Sequence, residues 1–341
     1  MRTLFKRRKH QAALPTLLPL LLSGLFCFLA PGAANAVPIE LKTTDYDPSC
    51  GIAISQEKNK LTVTWQMAAD RRGRLVFDLA DNQPLVQSAA VSRDPSEPFQ
   101  VLAKELDPVV MLRVGQRDLA KRDGWTIFFD RMQRKPHKLH VGKLDRKYAS
   151  VSSTAHRATL RIGDFTAGPF RGYLRWTFYA DNPFILQEAV LTTAQDGVAY
   201  LYDMGLVFRN ELPAQMTWRD SKGTLQAVRP DAQQQAKPIA VRGRAASASF
   251  TNGSLALFPP PHRYFYPLDF SDNLKNIWMG TKVNEQSFPF GFGIRHDPQG
   301  DNRYVPWFNA PPDTEQQLGM FLLLSADEAA QSLQQVARLT R

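Results

Sequence analysis

Residues 172–180, GYLRWTFYA, place Tyr173, Arg175, Thr177 and Tyr179 on one side of an extended chain. Leu174, Trp176, Phe178 and Ala180 fall on the other side. Side chains flip face at every step along a strand, so this alternation sets both the element and its buried side. Nothing else in the sequence constrains the fold as tightly. The next run, FILQEAVLTT (184–193), is less regular: Glu188 shares a side with Leu186 and Val190, and Gln187 with Ile185, Ala189 and Leu191. One of these two polar residues must point into an apolar layer or into a cleft.

Runs of the same kind recur along the chain. LTVTW (61–65), RLVFDL (74–79), VVMLRVG (109–115), WTIFFD (125–130), HRATLRIGDF (156–165), AYLYDMGLVF (199–208), SLALF (254–258) and GMFLLLS (319–325) are rich in β-branched and aromatic residues. Turn formers separate them, among them ADRRG, DNP, QDG, RDSKG and TNG. Strand-length runs spaced about ten residues apart, with no helical period between them, predict an all-β fold: a large antiparallel β-sandwich. The polar, aperiodic 226–238 and the Pro-rich 305–317 read as loops. Only the end of the chain turns helical. Ser325 precedes Glu328 by three residues, as in a capping box, and Ala329, Leu333, Val336 and Leu339 follow at helical spacing. The organisation expected is a signal at 1–36, a sandwich domain at 37–325 and a short C-terminal helix at 326–341. The helical pattern runs to the last residues, an ending that fits relatives continuing into another domain.

The first 36 residues have a basic leader (Arg2, Lys6, Arg7, Arg8, Lys9), the apolar run LPTLLPLLLSGLFCFLA, and small residues around Asn35 ending at Ala36. That is the layout of a secretory signal cut after Ala36. A retained membrane anchor is the competing reading, but Pro15 and Pro19 interrupt a run already short for a bilayer. Export to the periplasm or beyond follows, with no stable membrane span once the signal is removed. Without the leader, Lys plus Arg falls from 42 to 37 against 32 acids, so a net charge of +10 becomes about +5. No basic binding motif remains, and nucleic acid is not an expected partner. Cys50 is then the one cysteine left, so the mature chain relies on its core and not on disulfides.

No serine-nucleophile elbow, phosphate loop or dinucleotide fingerprint occurs. His137-x-x-His140 reads as a basic turn after Pro136 and not as a metal pair. No cofactor is expected. Asp297 and Asp301, around Gly300, offer hard oxygens that could hold calcium, although a hairpin turn uses the same residues. The densest stretch is FPPPHRYFYPLDFSDNLKNIWMG, 258–280. It brings His262, Arg263, Tyr264, Tyr266, Asp269, Asp272, Asn273 and Trp278 together, with Arg295, His296 and Trp307 nearby in sequence. Flat rings that stack on a pyranose, and planar polar groups that bond its hydroxyls, are what carbohydrate recognition needs. The competing reading assigns the rings to core packing and Asp-Asn to a turn.

GPFRGYLRWTFYADNPFILQEAVLTT (168–193) resembles the paired strands of galactose-mutarotase-like β-supersandwich domains. In those domains a strand of mixed arginine and aromatic residues is followed, after an Asn-Pro turn, by a second strand. The resemblance implies a twisted supersandwich whose concave face handles carbohydrate. Some members are epimerases, lyases or hydrolase accessory domains, and others only bind. Enzymatic members pair a histidine with a carboxylate, which here points to Glu188 with His262 or His296. Three readings stand: a carbohydrate-binding or accessory domain of polysaccharide processing, a sugar-active enzyme of epimerase or lyase type, and an envelope scaffold that engages a protein partner.

Overall fold

The structure, a computed structural model, describes residues 39–68, 70–117, 136–233, 235–261, 275–283, 286–296 and 307–340. In chain order the strands are β1 (Leu41–Asp45), β2 (Ile52–Glu57), β3 (Lys60–Ala68), β4 (Arg71–Asp78), β5 (Val86–Ser92), β6 (Gln100–Gln116), β7 (Lys138–Val141), β8 (Lys143–Thr154), β9 (Arg157–Ala167), β10 (Phe170–Tyr179) and β11 (Phe184–Thr192). There follow β12 (Val198–Phe208), β13 (Gln215–Arg219), β14 (Leu225–Val228), β15 (Lys237–Ile239), β16 (Ala246–Phe250), β17 (Gly253–Phe258), β18 (Ile277–Val283), β19 (Gln286–Arg295), β20 (Phe308–Ala310) and β21 (Gln316–Ser325). One helix, α1 (Ala329–Leu339), ends the described chain.

The strands form two large sheets. Sheet A runs β1-β8-β9-β10-β11-β21-β17-β16-β13-β14. Sheet B runs β15-β18-β19-β12-β6-β5-β4-β3-β2, with β20 on β12 and β7 on β6. All pairings are antiparallel except β1 with β8. The fold is the expected all-β sandwich with a short C-terminal helix.

The core lies between the sheets, where the alternation placed it. Leu174, Trp176 and Phe178 of β10 are buried and meet sheet B. Trp65 packs on Phe178 with ring centroids 5.1 Å apart, and Phe77 meets Trp176 edge-on at 5.2 Å. Tyr202 of β12 crosses the layer to donate its hydroxyl to the Gly319 carbonyl of β21 at 3.0 Å. The irregular β11 also resolves. Gln187 faces this inner layer, opposite Trp176 and Met320, and is fully buried. Neither its amide atoms nor the Trp176 Nε1 has a hydrogen-bond partner among the described residues. Glu188 therefore faces outward.

The outward face of sheet A is closed by the chain itself. Leu333 and Val336 of α1 pack on Ala245, Ala256, Phe258 and Leu323, with Phe184 and Phe321 alongside. Phe258 and Phe321 stack at 5.4 Å, and Phe184 meets Phe258 at 5.1 Å. The helix begins one turn later than the sequence suggested. Glu328, not Ser325, is the N-cap, and it forms its capping box with Gln331. Ser325 ends β21 and bonds Asp327 instead. Asp327 in turn takes both terminal nitrogens of Arg71, at 2.6 and 3.0 Å, which ties the start of the helix to sheet B.

Two edge strands arise where the sequence read as loop. β14 and β15 lie within or beside 226–238 and border sheets A and B. β14 is only four residues long and leaves Leu225 and Val228 exposed. Arg229-Pro230 follows it, and β15 carries Pro238. Half-exposed edge strands need no apolar alternation, so nothing in their composition announced them.

Candidate functional site

The outward face of sheet B is built differently from that of sheet A. The register across β6, β12, β19 and β18 aligns its residues in rows. One row reads Asp107, Val207, Gly291, Gly280, and the next Val109, Gly205, Gly293, Trp278. A third reads Met111, Asp203, Arg295, and Asn276 follows it, its carbonyl accepting the Arg295 amide at 2.9 Å. Arg113 lies one step beyond, diagonal to Asp203.

The glycines set the shape. A Cβ at Gly293 would overlap the Met204 carbonyl and stand 2.5 Å from the Gly205 Cα. At Gly205 it would meet the Trp278 ring at 2.6 Å, and at Gly291 the same ring at 3.0 Å. With no side chains standing there, the floor is lowered, and the indole of Trp278 lies across it. Trp278 packs with Met111 and Val207, and its ring is 5.7 Å from that of Phe288. It is buried, so it fills the space that the glycines leave and is not a free stacking shelf.

Polar groups fill the third row. Arg113 Nη1 donates to Asp203 Oδ2 at 2.7 Å, and both side chains are buried. Asp203 Oδ1 accepts the His296 amide at 3.1 Å. His296 closes β19 with its ring between Tyr202 and Phe308, at 4.8 and 5.2 Å. Its Nδ1 is 2.8 Å from the Tyr202 carbonyl. A carbonyl only accepts, so Nδ1 carries the proton. Burial is the main cause that lowers the His296 pKa to about 4, assisted by Arg113 and Arg295 and opposed by the Tyr202 bond and Asp203. The ring is therefore neutral at neutral pH.

Two groups in this face lack partners. Asn276 is buried, and neither of its amide atoms is hydrogen-bonded among the described residues; the same holds for the Trp278 Nε1. Such groups are rare in folded chains and call for a missing partner. At the Asp107 end the face opens into a groove of about 300 Å³, lined by Asp107, Val109, Met111, Val207, Arg209 and Phe288 among others.

The residues expected at the site divide three ways. Arg295 pairs in register with Asp203 and the His296 amide bonds its carboxylate, while Trp278 lies one row away and the His296 ring turns inward to Tyr202 and Phe308. Trp307 lies at the rim, edge-on to His137 at 5.4 Å, with its carbonyl accepting from Arg117 Nη2 at 3.3 Å. Glu188 is elsewhere: it faces outward from sheet A and accepts from Arg175 Nε at 2.8 Å. The backbone of sheet A stands between Glu188 and His296, so these two form no acid–base pair. His262, Arg263, Tyr264, Tyr266, Asp269, Asp272, Asn273, Asp297 and Asp301 lie outside the described residues, as does Ala36. The sequence reading missed Arg113, Asp203, Asn276 and the glycine floor. A signal was present for two of them: Arg113 in VVMLRVG and Asp203 in AYLYDMGLVF are lone charges inside apolar strands, and such charges are buried only when paired.

Among the described residues no helix is long and apolar enough to cross a membrane. No family model matches the sequence, and no curated protein does. Among solved structures, the chain is similar to a galactose mutarotase related enzyme from Lactobacillus acidophilus. The match has 11% identity and a TM-score of 0.36, and covers 77% of this chain and 98% of that one.

Proposed function

We propose that the outward face of sheet B binds carbohydrate, in a chain exported by its N-terminal signal and acting in the periplasm or outside the cell. The observation that carries this reading is the groove of about 300 Å³ on this face, where Val207 and Phe288 lie beside the Asp107 carboxylate and the exposed Arg209 guanidinium. The apolar surfaces of Val207 and Phe288 suit the C–H face of a pyranose, and hydroxyl groups, which both donate and accept, suit the carboxylate of Asp107 and the guanidinium of Arg209.

Binding is favoured over a sugar-active enzyme because His296, neutral and with Nδ1 committed to Tyr202, is no proton donor at neutral pH. It is favoured over a protein-engaging scaffold because Trp278 is buried and offers no flat exposed patch. The test is a glycan array probed with the full chain and with Arg209→Ala, an exposed change at the groove. Signal from the native chain that the variant loses, while remaining folded, is the expected result. A native chain silent across the array, or a variant that binds equally well, refutes the assignment.

A further inference from the structure

A second opening, of about 470 Å³, is lined by the corner where β7 passes into β8 and by the turn from β9 into β10. Small-molecule sites run from about 300 to 1,000 Å³. Two glycines make the room. A Cβ at Gly168 would stand 2.6 Å from the His140 ring, and one at Gly142 would overlap the ring of Phe165. His140 of β7 therefore lies against the backbone of the β9–β10 turn. Lys143 and Thr166, paired in register on β8 and β9, line the same opening. Arg171 continues their row on β10, opposite Thr166, and is exposed. The Asp107–Arg209 groove shares only Val141 with this pocket.

The chemistry of this wall is one-sided. An ammonium and a guanidinium only donate, and a hydroxyl and an imidazole each add a donor. No carboxylate among the described residues lines the opening. Asp145 and Asp164, the neighbouring acids on β8 and β9, are both held by Lys147, at 2.9 and 3.6 Å. Among the described residues no ion pair or side-chain hydrogen bond engages Lys143, Thr166, Arg171 or the His140 ring. We propose that this pocket binds an anionic small molecule, a phosphate, sulfate or carboxylate group on a body about the size of one sugar ring. Lys143 meets the charge, His140 and Thr166 direct hydrogen bonds to its oxygens, and Arg171 attracts it from the open side. The volume exceeds what a bare ion fills, which is why a larger body is assigned. The site stands apart from the carbohydrate reading of the groove.

Calorimetric titration of the full chain with glucose 6-phosphate, glucuronate, glucose and inorganic phosphate tests it. Lys143→Glu, an exposed change, is expected to weaken both anionic sugars at least about tenfold and to leave any response to glucose unmoved. Lys60→Glu makes the same change in net charge on β3, four strands from β7 in sheet B, and is expected to alter anion affinity less than about twofold. Equal losses in the two variants overturn the site, as does undiminished anion binding by Lys143→Glu or failure of both anionic sugars to bind. Inorganic phosphate held as tightly as glucose 6-phosphate overturns the ring-sized occupant. Binding of glucose itself, unaffected by Lys143→Glu, belongs to the groove and leaves the tenfold anion loss as the deciding result.

Discussion

The two outward faces of this sandwich solve the same problem in opposite ways. On sheet A the chain supplies its own cover: α1 and the Phe184, Phe258 and Phe321 cluster seal one part, and Glu188 beside them is clasped by Arg175. On sheet B glycines make room for the buried indole of Trp278, and among the described residues the Asn276 amide atoms and the Trp278 Nε1 have no hydrogen-bond partner. The first face is finished as folded. The second carries a cost that the described residues do not offset.

The glycines offer the sharpest way to break the contrast. Gly293→Ala drives a Cβ into the backbone of β12, where no flexible side chain can yield, so a loss above about 4 kcal/mol is expected. Its counterpart on sheet A, Gly319→Ala, meets side-chain carbons of Glu188 and Pro260 at 3.2 Å and of Leu186 at 3.4 Å, and should cost below about 1 kcal/mol. Urea unfolding of the two variants measures the difference; equal losses would remove the claim that sheet B's floor is special. Next comes Arg113→Met. It strands the buried Asp203 carboxylate and should cost about 3–4 kcal/mol by the same measurement.

Acid gives the third test. The folded chain holds His296 near 4, against an ordinary value of 6.5. Between these values the unfolded chain takes a proton that the folded chain refuses, so stability falls as pH drops through that window, by up to about 3 kcal/mol. His296→Asn keeps a donor for the Tyr202 carbonyl and has no such titration. The gap between variant and parent should therefore close as pH falls from 7 to 4.5, and parallel curves would contradict the buried neutral ring. The smallest effect has the opposite sign. Asn276→Leu removes an amide that has no partner among the described residues and should raise stability by about 1–2 kcal/mol, read as a higher denaturant midpoint. A destabilised Asn276→Leu would mean the amide is satisfied by the fold.

Much of the architecture was legible because strand alternation is local. Leu174, Trp176 and Phe178 face the core as their spacing required. The site was less legible because its partners are distant: Arg113 and Asp203 are 90 residues apart, and only the β6–β12 register brings them together. Crowding in sequence also misled. Phe258 and Trp278, the ends of the densest stretch, belong to opposite sheets, one in the cover of sheet A and the other in the floor of sheet B. Ser325 looked like a helix cap because the pattern S-x-x-E fits, yet the last strand runs through it. Edge strands escaped notice because solvent on one side relaxes the demand for apolar residues.

The proline beside β14 has a bearing on how these molecules behave when crowded. A stray strand laid along Leu225–Val228 would find two exposed aliphatic side chains to cover, but the ladder fails at Pro230, which has no N–H to give. Pro238 interrupts the border of the other sheet in the same manner. Growth of one copy onto the next, the route by which open sheets become fibres, is thereby cut to a few bonds at these two borders.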